Sequence, residues 1–157
     1  MAYRGPEEIQ AALRAFAAKW SGYAGTEKSE AQSFLNDLFA CYGSDRFEAG
    51  ARFEEFVSST GFMDLFWPGV LIVEMKRPGA PLTKAADQRI RYWEASENPA
   101  EGIGLARYVI ACNFHNLEIW EPGRYRQAPR ATIALADLPD YYDALYFLTD
   151  GAREPVF

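Results

Sequence analysis

The sequence predicts an α/β domain with a mixed central β-sheet flanked by helices. Three observations carry this. Apolar residues recur at helical spacing in the first forty positions and again near the end. Between them lie short β-branched and aromatic runs, separated by Gly and Pro turn signals. One of these runs, Val70-Leu71-Ile72-Val73, is apolar at every position, as a central strand covered on both faces must be.

Pro6, Glu7 and Glu8 suit a helix N-terminus, and Ile9, Leu13, Phe16 and Trp20 continue one face to about residue 20. Ser21-Gly22-Tyr23-Ala24-Gly25 breaks that helix. Thr26 is placed to cap a second one, over about 27–42, which buries Phe34, Leu35, Leu38, Phe39 and Tyr42 and stops at Gly43. Strands follow at 51–57, 61–67 and 70–76, the last two joined through Pro68-Gly69. A helix is expected from Leu82 to Ser96, ending before Asn98-Pro99. Residues 106–112 and 117–121 form a strand pair, 130–135 an edge strand or extended segment, and 138–148 a last helix. The order is α-α-β-β-β-α-β-β-(β)-α, with no internal repeat.

The chain has 157 residues, 49% hydrophobic, which fits one domain and excludes disorder. Its apolar runs fall short of the roughly 20 residues a membrane span needs. Residues 1–8 contain no apolar stretch of the secretory type, so the expected compartment is the cytoplasm. Sixteen basic residues against 22 acidic ones leave a net charge of −6, which disfavours autonomous nucleic-acid binding. Cys41 and Cys112 are too far apart in sequence for a metal pair and read as buried reduced thiols. His115, the only histidine, reads as a turn residue; alone it excludes a His-rich zinc site. The apolar end, Pro155-Val156-Phe157, reads either as a terminal strand tucked into the fold or as the point where a domain was cut from a longer protein.

Chemistry concentrates in the central hairpin. Glu74 and Lys76 alternate with Met75 and so share one strand face. Asp64 interrupts the preceding apolar run. Burying such groups costs several kcal/mol unless they are paired or bind something. Two converging carboxylates repel unless one is protonated or a cation settles between them. An all-oxygen donor set favours Mg²⁺ or Mn²⁺ over zinc. A metal on Asp64 and Glu74, with Lys76 beside the attacking water, is suited to phosphodiester hydrolysis. Register sets a condition. A two-residue loop at Pro68-Gly69 would pair Trp67 with Val70 and put Asp64 and Glu74 on opposite faces. The site therefore requires an odd loop length or a β-bulge.

Further candidates surround this hairpin. Gln88 and Tyr92 lie one helical turn apart, with Lys84 on the same stripe. Residues 76–91 hold Lys76, Arg77, Lys84, Arg89 and Arg91 against one acid, Asp87, a local positive patch that suits a phosphate backbone. Arg89 alone reads as a solvated helix position. Glu30 precedes Phe34 and Leu38 on one stripe, so it stands at the helix edge or faces a polar site.

Together these residues resemble the PD-(D/E)xK nucleases, and most of all the N-terminal nuclease domain of MmeI-like (Type IIL) restriction–modification enzymes. The stretches that carry the likeness are Glu30 to Asp37, Gly61 to Lys76, Gln88 with Tyr92, and Tyr108 to Phe114. Asp64-x9-Glu74-x-Lys76 with Phe66-Trp67-Pro68-Gly69 inside it is the most specific part. Met63 stands where the family pattern has proline. The resemblance implies a restriction-endonuclease-like core and Mg²⁺-dependent hydrolysis of double-stranded DNA, leaving a 5′-phosphate and a 3′-hydroxyl. It implies that Asp64, Glu74 and the main-chain carbonyl of Met75 hold Mg²⁺, with Mn²⁺ as substitute. Lys76 would serve the water, Gln88 support the site and Glu30 act as an accessory acid. It places the chain at the N-terminus of a longer protein whose adenine-specific DNA methyltransferase, with its S-adenosylmethionine, lies elsewhere. It also implies that a second copy of the nuclease is needed to cut both strands. Two other readings compete: a non-catalytic relative serving as a binding or regulatory module of a methylation-based phage-defence protein, and a structural domain in which Asp64, Glu74 and Lys76 form a buried ion-pair cluster.

Overall fold

A computed structural model describes residues 4–25, 30–57, 61–82, 90 and 106–157. Helix α1 spans Pro6–Trp20 and α2 spans Ala31–Cys41, followed by a short α3, Arg46–Ala49. Six strands then form one sheet in sequence order: β1 Arg52–Val57, β2 Gly61–Trp67, β3 Leu71–Met75, β4 Tyr108–Cys112, β5 Asn116–Trp120 and β6 Ala131–Ala134. All neighbours are antiparallel except β3 and β4, which run parallel. The class is α/β with a mixed sheet, as the sequence predicts.

Strand alternation divides the core. One face of the sheet presents Leu65, Val73, Met75, Ile110 and Cys112 to α1, α2 and the C-terminal segment. The other presents Phe66, Ile72, Val109 and Ala111 to Leu82 and Ile90. This explains why β3 and β4 are buried at all five positions. On the α1–α2 side, Phe34 and Phe114 pack with ring centroids 5.0 Å apart, and Trp20 and Tyr23 both contact Phe114. Asp37 accepts hydrogen bonds from Lys19 Nζ at 2.7 Å and Trp20 Nε1 at 3.0 Å, locking the two helices.

The ends of the chain depart from the sequence reading. Helix α2 is described from Ala31, with Glu30 at its N-cap position; Thr26 lies outside the described residues. Residues 135–148, read as a helix from 138, form a 3₁₀ segment broken at Tyr141 and Leu145. Its buried leucines fall in pairs three apart, Leu135 with Leu138 and Leu145 with Leu148, which matches three residues per turn. Pro139 removes a donor within it. Residues 151–157 form no strand: the Val156 N–H donates to the Asp143 carbonyl at 3.0 Å while its side chain stays exposed. The expected helix over 82–96 lies outside the described residues apart from Leu82 and Ile90.

Candidate active site

The hairpin between β2 and β3 has the odd length the site requires. Trp67 pairs with Leu71, so Pro68, Gly69 and Val70 form a three-residue connection. The Val70 N–H donates to the Trp67 carbonyl at 3.0 Å, and Gly69 takes φ +76°, closing a turn with proline and glycine in the positions that favour it. The register Leu65↔Val73 then places Asp64 opposite Glu74, on the face carrying Phe66 and Ile72.

The described register between β2 and β3 runs from Trp67↔Leu71 to Leu65↔Val73. Beyond Leu65, β2 continues to pair with β1, through Met63↔Glu55 and Phe62↔Phe56. Asp64 reaches across to β3: its Oδ2 accepts the Met75 N–H at 2.7 Å. The N–H and carbonyl of a strand residue point to the same neighbour. The Met75 carbonyl is therefore directed toward the β2 side as well.

Lys76 extends β3 by one more residue, its N–H donating to the Cys112 carbonyl of β4 at 2.7 Å. Alternation returns its side chain to the face of Glu74, and Nζ lies 3.3 Å from Glu74 Oε1. The Glu74 side chain is 7% exposed and that of Lys76 35%. A carboxylate so deeply placed needs a compensating cation, and Lys76 supplies one from the open side. The pair stands at the C-terminal end of the two parallel strands, where open α/β sheets commonly place their ligand sites.

This is a donor set of two carboxylates and one main-chain carbonyl. Among the described residues no group of three or more His, Cys, Asp or Glu side chains is gathered for a metal. Glu30 is exposed and stands at the start of α2, whose apolar side packs against the face of the sheet opposite Asp64 and Glu74. It is thus at the helix edge rather than on the apolar stripe, and no described contact joins it to the hairpin. Arg77 is exposed in the loop that follows Lys76. Gln88, Lys84, Arg91 and Tyr92 lie outside the described residues. His115 occupies the β4–β5 turn and is exposed, as its sequence context predicts. Both cysteines are buried free thiols pushed up to about 12 by burial.

One polar residue near the site was not singled out in the sequence. Asn113 is 5% exposed. Its Nδ2 donates to the Ala80 carbonyl at 2.7 Å, and its Oδ1 accepts the N–H groups of His115 and Asn116 at 3.1 and 2.8 Å. Its main-chain carbonyl accepts the Gly79 N–H at 3.2 Å. The signal available was an asparagine directly ending a buried strand, a residue type that organises turns through its side chain.

A family model describing the N-terminal domain of MmeI matches residues 11–156. The chain belongs to the MmeI N-terminal domain family. No curated protein and no solved structure matches it. The family is that of a restriction-enzyme domain. The matched span contains the whole sheet together with Glu30, Asp64, Glu74 and Lys76. Among the described residues, no helix is long and apolar enough to cross a membrane.

Proposed function

We propose that this MmeI-type domain is a divalent-metal-dependent DNA endonuclease with a PD-(D/E)xK core. The observation that carries the reading is the three-residue hairpin, which sets Asp64 opposite Glu74 on one face with Lys76 beside them. The donor set fits the metal: hard oxygen atoms alone, from two carboxylates and the carbonyl of Met75, suit Mg²⁺, or Mn²⁺ in its place. When bound, such an ion polarises a phosphoryl oxygen and lowers the pKa of a water.

The chain's own groups supply the rest. The Met75 N–H fixes one oxygen of Asp64, which orients that carboxylate before any ligand arrives. Glu74 holds the Lys76 ammonium on the reacting face, where it donates a hydrogen bond to the attacking water and steadies the charge that develops. Water oxygen loses a proton and forms a new bond to phosphorus, and the bond to the 3′ oxygen breaks as that oxygen takes up a proton from solvent, leaving a 5′-phosphate and a 3′-hydroxyl. In this reading Gln88 supports the site. Lys84, Arg77, Arg91 and Tyr92 contact the double-stranded DNA, and a second copy cuts the other strand. The adenine methyltransferase and its S-adenosylmethionine belong to the rest of a longer chain.

A second reading draws on the same geometry. One oxygen of Glu74 faces Lys76 and one oxygen of Asp64 accepts the Met75 N–H, so each carboxylate has a contact that needs no metal. That favours a non-catalytic binding or regulatory module. Calorimetric titration of Mg²⁺ and Mn²⁺ separates the two, with and without a short DNA duplex. The nuclease reading expects binding that is lost in both Asp64→Ala and Glu74→Ala. No binding at millimolar metal in either condition leaves the non-catalytic module.

A further inference from the structure

A second set of acids gathers on the other face of the sheet, at the hairpin end of β2. Asp45 caps the short helix α3, and Glu48 lies within it. Asp150 follows the 3₁₀ segment. Together with Ser44, Trp67 and Thr149 they line one cavity of about 230 Å³. Trp67 belongs to the core layer beneath α1 and α2, so the sheet separates this cavity from the face carrying Asp64 and Glu74. Gly151, at φ +81°, allows the close approach: a Cβ there would lie 2.9 Å from Trp67 Cζ2, and its absence lets the chain after Thr149 run against the indole.

The fold uses only part of the oxygen set in this cavity. Both N-cap bonds to Asp45, from the Phe47 and Glu48 N–H groups at 2.9 and 3.0 Å, fall on Oδ1. Thr149 Oγ1 donates to the Tyr146 carbonyl at 2.7 Å, which leaves its lone pairs as acceptors. Ser44 is the informative residue. It is 9% exposed, it lines the cavity, and its hydroxyl has no hydrogen-bond partner among the described residues. A hydroxyl so placed is costly unless something bonds to it, and a ligand group in the cavity meets that need.

The lining selects the ligand. Three carboxylates border the cavity, and among the described residues no Lys or Arg does. The arginines adjoining in sequence are engaged elsewhere: Arg46 stacks 4.0 Å from the Phe53 ring centroid and Arg153 3.9 Å from that of Tyr146. The carboxylates are also too dispersed for a metal, since no described group of three is gathered for one. A larger, flat cation with several N–H donors fits instead. A guanidinium spreads five donors in one plane and stacks on aromatic faces, whereas an ammonium is a compact point charge. The volume falls below the roughly 300 Å³ at which pockets for whole drug-sized ligands begin, which suits a head group.

We propose that this cavity binds an alkylguanidinium group. Asp45, Glu48 and Asp150 balance its charge, Ser44 and Thr149 accept its N–H groups, and the Trp67 indole is its flat wall. A free alkylguanidine and an arginine side chain present this same chemistry. The site goes beyond the nuclease reading and stands or falls without it.

The test is an NMR titration of the whole 157-residue chain with millimolar ethylguanidinium, read at the assigned indole N–H of Trp67. A saturable shift is expected there and in residues 44–49 and 149–151. N-Ethylurea, the neutral isostere, and Mg²⁺ at the same concentration are expected to leave Trp67 unmoved. Ser44→Ala and Glu48→Gln are each expected to weaken binding several-fold with the rest of the spectrum unchanged. Asp150→Asn keeps the acceptor for the Ala152 and Arg153 N–H groups and is expected to do the same. Glu7→Gln, an exposed acid outside the cavity, is expected to bind like the parent chain. No saturable shift, an equal response to N-ethylurea or Mg²⁺, parental affinity in all three cavity variants, or an equal loss in Glu7→Gln overturns the site. N-Acetylarginine amide tells the two sources apart, and both outcomes uphold the site. Tighter binding than ethylguanidinium assigns it to an arginine side chain, and equal or weaker binding to a free alkylguanidine.

Discussion

The Asp64 carboxylate has two separable duties. Its Oδ2 accepts the Met75 N–H at 2.7 Å, a structural bond between β2 and β3. Its negative charge is what a metal needs. Asparagine keeps an acceptor oxygen and loses the charge, whereas alanine loses both. Asp64→Asn is therefore expected to stay within about 1 kcal/mol of the parent in urea unfolding and yet to lose metal binding. Asp64→Ala is expected to lose metal binding and, in addition, about 1–3 kcal/mol, because a part-buried N–H is left without its partner. Equal stability of the two variants would mean that the Met75 contact contributes nothing. The sequence made Asp64 conspicuous as an acid in an apolar run, but nothing in it announced the main-chain bond. That bond depends on the register that sets β2 beside β3, which is fixed by pairing between strands rather than by local pattern.

At the scale of elements, the connection 68–70 determines whether a site exists. Period-two alternation made the condition legible before any coordinates: only an odd loop puts Asp64 and Glu74 on one face. The choice of three residues was not legible, because Pro-Gly also suits a two-residue loop. Val70 turns out to belong to the connection, and its carbonyl accepts the Tyr108 N–H of β4 at 2.9 Å. The tertiary partner thus fixes the turn. Two glycines meet this hairpin and separate backbone from packing costs. Gly69 has φ +76° and open space where a Cβ would go; Gly151 has φ +81°, with that position 2.9 Å from Trp67 Cζ2 and 3.1 Å from Val70 Cγ2. Gly69→Ala carries only the left-handed backbone penalty, about 1–2 kcal/mol. Gly151→Ala carries that penalty and must also displace the indole of the residue that starts the turn. It is expected to be the more destabilising of the two in chemical denaturation, and the opposite order would show that the Trp67 contact yields freely. The same limits explain the other misses. Residues 135–148 have helix-like composition, but their three-residue spacing and Pro139 favour 3₁₀ turns.

Across the whole molecule, the succession of strands along the chain was readable because each run is bounded by turn residues and the central strand opens with four apolar residues, Val70 to Val73. Which groups become chemically inert was readable only in part. Cys41 and Cys112 looked like small core residues, and burial pushes both thiols up to about 12. Burial likewise pushes Tyr108 up to about 12 and Tyr42 well above the ordinary phenol value. All four shifts have the same sign, so the folded chain retains protons that the unfolded chain releases. Stability from these groups is intact below about pH 8.5, where both states hold the thiol protons. Above that, the unfolded state binds fewer protons than the native one, and stability falls with rising pH. The decline begins with the thiols near 8.5, steepens as the phenols join near 10, and continues until the native groups ionise. For fully buried Cys112 the slope is about 1.4 kcal/mol per pH unit within that window. Denaturant unfolding from pH 7 to 11 is expected to show this alkaline loss, with Cys112→Ala flattening it between pH 9 and 11 whatever its effect at pH 7. An unchanged slope in Cys112→Ala would mean that the thiolate is tolerated at the C-terminal end of β4, against the fold's placement of that side chain in the apolar layer beneath α1 and α2.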